Sequence, residues 1–232
     1  MLSGLAWLTL EVKYLEPMVA FYTDHLDLPV IERSDGEVIL SAGDSELRLR
    51  TPGPVPRGGL HTHYAFAIPN REYAQWKDRL GEHFDLDEHQ FGSASSLYCY
   101  DPAGNCVELG QFAETGSGIT GIFEIVLEVE SLDRALEVYT ALGGDVVDRG
   151  DTRRRARLDI GPIDLELWEP QLGIADGRGG VHVDLGFYAA DPAAVAEALR
   201  DRVCSTTHLH EPEPGTIRLK DPDGHYLTIL AD

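Results

Sequence analysis

Two histidines, His61 and His63, stand two residues apart in HTHYAFAI, and two arginines, Arg48 and Arg50, stand two apart in SELRLR. Tyr98 and Tyr100 repeat that spacing in SLYCY. Residues at i and i+2 of a strand share a face, so each pair would be presented together from a strand. Alternation then sorts the neighbours. Leu8, Leu10 and Val12 should pack under helices, leaving Trp7, Thr9 and Glu11 on the opposite face. Tyr64, Phe66 and Ile68 go to the core, with His61, His63 and Ala65 on the other side. Glu108 completes the polar set. Aromatic walls with two arginines and a His/Glu pair suit a small, planar or anionic oxygenated ligand. Arg48 and Arg50 have an alternative as outward partners of an acidic surface, and Tyr98 and Tyr100 as sheet packing. Other catalytic signatures are missing: the chain has no G-x-S-x-G, no P-loop and no G-x-G-x-x-G fingerprint between a strand and a helix.

The elements that must position these residues repeat four times. First strands are expected at Trp7 to Val12, His63 to Ile68, Glu124 to Val129 and Asp184 to Ala189, so they recur about every 60 residues. Amphipathic helices follow at Pro17 to Leu26, Arg71 to Leu80, Leu132 to Leu142 and Pro192 to Val203. Asn70, Ser131 and Asp191 stand where N-caps belong, and Gly81 and Gly143 where helices stop. Further strands follow, at Val38–Ser41 and Glu46–Arg50, Ser96–Tyr100 and Cys106–Gly110, Arg153–Ile160 and Asp164–Trp168, and Thr216–Leu219 and Tyr226–Leu230. Each unit reads β-α-β-β-β, three of its four strands being placed on these residues. The small, Gly-rich run Ala113 to Gly118 separates the second unit from the third, while Thr51 to Gly59 and Gln171 to Gly180 join the others. The expected class is α+β: four βαβββ modules paired into two domains, 1–114 (modules 1–58 and 59–114) and 119–232 (modules 119–175 and 176–232).

Composition excludes several classes of function. The 232 residues carry 19 Lys+Arg against 40 Asp+Glu, a net charge of −21. A nucleic-acid partner needs a basic footprint, and an anionic membrane surface would repel this chain. Lys13, Lys77 and Lys220 are the only lysines, so Arg supplies most of the positive charge. An acid-rich, Lys-poor composition resembles that of cytosolic proteins of salt-loving microbes such as haloarchaea, where dense salt screens self-repulsion. Cys99, Cys106 and Cys204 are too few for a disulfide framework and read as thiols. The N-terminus lacks a basic n-region and reads as a strand, and no apolar run approaches the roughly 20 residues of a membrane span. A soluble cytoplasmic protein is expected.

The repeat, with FYTDHLDLPV (Phe21 to Val30), DPAGNCVEL (Asp101 to Leu109) and DPDGHYLTIL (Asp221 to Leu230), resembles the vicinal oxygen chelate superfamily. That group includes glyoxalase I, extradiol (catechol) dioxygenases, fosfomycin-resistance enzymes and bleomycin-binding proteins. The resemblance spans nearly the whole chain. It implies curled mixed sheets around a cavity, with a divalent metal (Fe, Mn, Zn or Ni) held from the start of a first strand and the acidic position of a last strand. Those positions are His63 and Glu108 in the second unit. The first unit departs, with Trp7 for a first-strand His and Arg48 near the acidic position. Indole has no lone pair for a metal. An oxygenase iron typically takes two His and one carboxylate, so His61 is the expected third ligand and Tyr98 a weaker one. On the cavity face that alternation predicts, Tyr98 or Glu11 is expected to serve in proton transfer, and Trp7, Arg48, Arg50 and Tyr100 to meet substrate. Alternatively, His63 is a buried hydrogen-bonded histidine and Glu108 a partner of Arg48 or Arg50.

In the second half the corresponding positions carry Glu124, Glu166, Asp184 and Thr228. The three acids, with His182 able to add a nitrogen, would suit Mg²⁺ or Ca²⁺. Salt bridges to Arg153, Arg155 and Arg157 are the better-supported expectation. The remaining histidines, His25, His83, His89, His208, His210 and His225, read as surface groups. Three functions follow: a metal-dependent dioxygenase or glyoxalase-type enzyme acting on vicinal oxygens, a metal-free small-molecule binder, or a structural protein forming homo-oligomers.

Overall fold

A computed structural model describes residues 2–53, 59–161, 163–170, 182–209 and 214–232. The first unit holds β1 (Leu2–Glu11), α1 (Leu15–Ala20, continued through Phe21–His25 as a wider π-type turn), β2 (Val30–Arg33), β3 (Glu37–Ala42) and β4 (Ser45–Arg50). The second holds β5 (His61–Pro69), α2 (Tyr73–Gly81), β6 (Asp87–Phe91), β7 (Ala94–Tyr100) and β8 (Cys106–Ala113). The third holds β9 (Gly121–Glu128), α3 (Leu132–Ala141), β10 (Asp145–Arg149), β11 (Arg155–Ile160) and β12 (Ile163–Trp168). The fourth holds β13 (His182–Ala189), α4 (Pro192–Leu199), β14 (Ser205–His208), β15 (Ile217–Lys220) and β16 (Tyr226–Ala231). The α+β class and the four-unit repeat stand as expected.

Within every unit the first strand lies parallel to the last, and two antiparallel steps lead outward to an edge. The outermost strands β2, β6, β10 and β14 carry no alternation, because every residue in them is exposed. Period-2 patterning needs a buried face, and these edges have none. Ser131 and Asp191 do cap α3 and α4, accepting from the amides of Arg134 and Ala194. Asn70 does not cap: it lies inside a 3₁₀ turn, Asn70–Glu72, that tightens the entry to α2.

Each of the two sheets joins two units. One eight-stranded sheet runs β10-β11-β12-β9-β5-β8-β7-β6 and joins units two and three. The other runs β14-β15-β16-β13-β1-β4-β3-β2 and joins units four and one. The reason is local. β8 is parallel to β5, so both end at the same edge of the sheet. The Gly-rich linker then needs only to cross the end of β5, where the Thr120 amide donates to Ala67 O at 2.9 Å. That crossing delivers β9 antiparallel onto the free side of β5.

The expected partners are joined on the helix side instead. Tyr22, in the π-type turn of unit one, donates to Asp101 of unit two at 2.8 Å and meets the Tyr64 hydroxyl. Tyr139 of α3 makes the same bond to Asp221 of unit four, at 3.0 Å. Both aspartates open a D-P-x-G turn in which Oδ1 accepts two backbone amides: Ala103 and Asn105 in one, Asp223 and His225 in the other. Sheets thus connect units two with three and one with four, while helices and turns connect one with two and three with four. Leu8, Leu10, Val12, Tyr64, Phe66 and Ile68 are fully buried in the continuous core, as alternation required. The turn between β3 and β4 touches the linker so closely that a Cβ at Gly43 would lie 1.9 Å from Thr120 O, and its φ of +67° also favours glycine.

Cys99 and Cys106 are buried free thiols, and Cys204 is an exposed one. His225 is a correction: it is fully buried, with Nε2 2.9 Å from Glu128 O. His83, His89 and His208 are exposed and His25 is half-buried. His210 and the 171–180 connection lie outside the described residues, as does the side chain of His182. No helix among the described residues is long and apolar enough to cross a membrane.

Candidate metal centre

The centre of the β10–β6 sheet is the antiparallel pair β5 and β9, the first strands of units two and three. His63 projects from β5 and Glu124 from β9, on the face opposite the helices. Glu108, on β8, lies opposite Ala65 of β5 and so shares that face two residues along from His63. The result is a buried group in which His63 Nε2 is 3.2 Å from Glu108 Oε2 and 3.1 Å from Glu124 Oε1. One ligand atom from each of the three lies within 4.8 Å of the others.

These residues fit a divalent ion on two counts. Donors about 2.1 Å from one ion and at right angles to each other are about 3 Å apart, which matches both His63 distances. Glu108 Oε2 is also buried without an aligned hydrogen-bond donor, although His63 is close to it. A buried carboxylate oxygen left in that state is costly unless a cation takes its lone pair. One imidazole nitrogen and two carboxylates suit Mn, Fe, Zn or Ni. Without an ion, burial works to lower the His63 pKa, but Glu108 and Glu124 outweigh it and raise the group to about 10. Burial likewise works to raise Glu108, yet its His63 partner holds the carboxyl below its usual range. Burial dominates at Glu124 and lifts it.

Among the expected site residues, His63 and Glu108 come together. His61 does not join them. A register irregularity falls between His61 and His63, and His61 Nε2 sits 3.1 Å from Asn105 Oδ1. Burial depresses the pKa of His61 to about 3. Glu124 takes the third place. Its signal was present in the sequence, since it opens the third repeat where His63 opens the second, but it was grouped with Glu166 and Asp184. Tyr98 stands directly across from Glu108 and packs edge-on to His63, ring centres 5.7 Å apart. Burial, then the Glu108 charge, raises its pKa, so the phenol keeps its proton. Trp168 closes the other side of His63, at 6.3 Å. Tyr100 is on the same strand as Tyr98, opposite Cys106, and exposed.

Trp7, Glu11, Arg48 and Arg50 belong to the other sheet, because unit one pairs with unit four. Glu11 stands opposite Arg50 there. Trp7 Nε1 donates to Asp184 at 3.0 Å, and the Arg48 guanidinium lies 3.7 Å over the indole and bonds Glu46. Thr228 donates to Asp184 at 2.7 Å, and Arg218 is 3.5 Å from it. Asp184 is therefore separated from Glu124 and Glu166, and the three expected carboxylates form no common site. The expected salt bridging is present at Glu166, which Arg155 and Arg157 reach at 3.2 and 3.0 Å.

Comparison with known proteins bears on the fold. No curated relative matches the chain in sequence. Among solved structures, a candidate dioxygenase from Bacillus subtilis superposes with a TM-score of 0.78 at 18% identity, covering 100% of this chain and 86% of that one. Glyoxalase I from Zea mays superposes with a TM-score of 0.73 at 18% identity, covering 98% of this chain and 92% of that one. At that identity the likeness is one of fold, and it extends over all four units. Residues 4–109, the first two units, match the model of the Glyoxalase/Bleomycin resistance protein/Dioxygenase superfamily.

Proposed function

We propose that the whole chain is a member of that superfamily and that it is a divalent-metal enzyme acting on a small substrate with vicinal oxygens, of dicarbonyl or catecholic type. The observation that carries this is the buried His63, Glu108 and Glu124 group with its unsatisfied carboxylate oxygen. A metal held there would act as a Lewis acid toward adjacent substrate oxygens. The chain's own residues supply the rest. Tyr98 presents a phenol that keeps its proton and so offers a hydrogen bond to substrate from the β7 side. Trp168 and Tyr98 flank His63 with aromatic surface against which a planar ligand can stack. Glu11 has no part in this chemistry, since it lies in the other sheet. The acid-rich composition supports a cytoplasmic setting at high salt.

The test is elemental analysis of freshly purified protein beside His63→Ala. About one Mn, Fe, Zn or Ni per chain in the wild type, lost in the variant, is the expected result. No metal and no uptake on titration would sink the proposal. A second reading, a metal-free small-molecule binder, draws on the ion group itself, because His63 between two carboxylates is a closed set of charges. A thermal-shift screen of small aromatics on metal-free protein tests it, since a ligand of the native state raises Tm.

A further inference from the structure

Glu166 occupies, in unit three, the position that Glu108 holds in unit two. Glu108 pairs with Ala65, two residues after His63, and Glu166 pairs with Val126, two residues after Glu124. The β5–β9 pair lies between them, so the repeat itself lays out four sites: His63, Glu108, Glu124 and Glu166. Only the first three gather. The difference is in what each glutamate faces on the next strand outward. Glu108 faces Tyr98, and Glu166 faces Arg157. Glu166 Oε1 accepts from Arg157 Nε at 3.0 Å and Arg155 Nη1 at 3.2 Å, and Oε2 accepts from Trp168 Nε1 at 2.5 Å. Both of its oxygens are occupied, whereas Oε2 of Glu108 makes no aligned hydrogen bond and has His63 Nε2 beside it at 3.2 Å. Arg155 is itself braced by Asp148 at 2.8 Å, and Arg157 reaches Asp164 at 3.7 Å and Glu124 at 4.0 Å.

We propose that Arg157, with Arg155 and Trp168, holds Glu166 away from the metal, so that the ion has three protein ligands and a carboxylate kept in reserve. Arg155, Arg157 and Trp168 are then positioning residues. Charge-assisted hydrogen bonds are roughly twice as strong as neutral ones, and Glu166 Oε1 accepts two of them. Each protein ligand withheld leaves one more coordination position for substrate oxygen, which favours a chelating substrate over a singly bound one. The inference rests on the metal proposed at His63, Glu108 and Glu124, and concerns only which groups reach it.

The experiment is Mn²⁺ titration of the full chain, read by the EPR signal of free Mn²⁺, with bound water on the loaded ion counted from water-proton relaxation. Wild type, Glu108→Gln, Glu166→Gln, Arg157→Lys and the double variant Arg155→Ala/Arg157→Ala are compared. Glu108→Gln should weaken binding by about 100-fold or more, since a lost ligand costs at least as much as a lost outer-shell partner, and Glu166→Gln by less than about threefold. The double variant should bind about tenfold more tightly and show less bound water, with Arg157→Lys behaving as wild type. If Glu166→Gln weakens binding as much as Glu108→Gln, or the wild type carries too little bound water for a three-ligand ion, the inference is overturned. Both of those results come from variants that leave the arginines intact, so a double variant that fails to fold does not decide the matter. A wild type that takes up no Mn²⁺ overturns the metal centre, and this inference with it.

Discussion

The two sheets put different chemistry on the same scaffold. At four positions that the strand registers make equivalent, one sheet carries His63, Glu108, Glu124 and Glu166, and the other Trp7, Arg48, Asp184 and Thr228. The first set leaves a carboxylate oxygen without an aligned hydrogen bond among buried ligands. The second set is closed: Trp7 and Thr228 both donate to Asp184, and Arg48 stacks on Trp7. An indole and a guanidinium bring donors where a metal needs acceptors. Fold alone therefore does not make a site here; the side chains at those positions do.

The sharpest way to break this contrast is to remove His63. His63→Ala should weaken divalent-metal binding by about 1,000-fold, or ~4 kcal/mol, by isothermal titration, while Trp7→Ala leaves metal affinity unchanged. Equal losses in both would show that the sheets are not functionally distinct. In the closed set the cost should appear as stability instead. Asp184→Ala removes the acceptor shared by Trp7, Thr228 and Arg218, and should cost ~3 kcal/mol in denaturant melts. The same melts on metal-free Glu124→Gln should show a smaller loss.

pH separates the sheets as well. With its pKa raised from 6.5 to about 10, His63 is protonated in the metal-free protein at neutral pH, and an ion must displace that proton. Apparent metal affinity should rise with pH, by up to about tenfold per unit, until about pH 10. In the metal-free protein the sign is opposite. His63 contributes stability fully below about pH 6.5, its unfolded value, and loses it as pH rises through about 10. Affinity that is flat with pH would show that the ion does not bind through His63.

Packing supplies a finer contrast. Gly186 pairs with Thr228 as Val126 pairs with Glu166, yet a Cβ at Gly186 would meet the Trp7 ring at 2.3 Å. Gly186→Ala should lower stability by about 1–3 kcal/mol, and Trp7→His should relieve that loss. The smallest signal belongs to the attempt to equalise the sheets. Trp7→His with Arg48→Glu, beside Asp184, should bind a second ion weakly, detectable as stoichiometry above one. Stoichiometry that stays at one would mean that equivalent positions are not enough and that Arg218, 3.5 Å from Asp184, still supplies the counter-charge.

Much of this was legible in the chain. The four repeats, the helices, the caps at Ser131 and Asp191, and the buried faces of β1 and β5 all follow from short-range spacing. The pair His63 and Glu108 followed from the resemblance, because both lie within one unit. The outer strands β2, β6, β10 and β14 were not legible as strands, since an edge with no buried residue has no period. His61 misled because the i, i+2 rule assumes regular pairing, and an irregularity intervenes between His61 and His63. Glu124 escaped because its partner is in another unit.

What the amino-acid sequence determined by itself was the content of each unit: which residues form strands, which face is apolar, and where a histidine or an acid stands on the other. Those depend on interactions a few residues long. Which unit lies beside which was decided only in three dimensions. The first strand of every unit has one free edge, and the four free edges are chemically alike. The crossing of the 114–120 linker over the end of β5, and the bonds from Tyr22 to Asp101 and Tyr139 to Asp221, select one pairing among several. That selection brought Glu124 to His63 and closed Trp7 over Asp184.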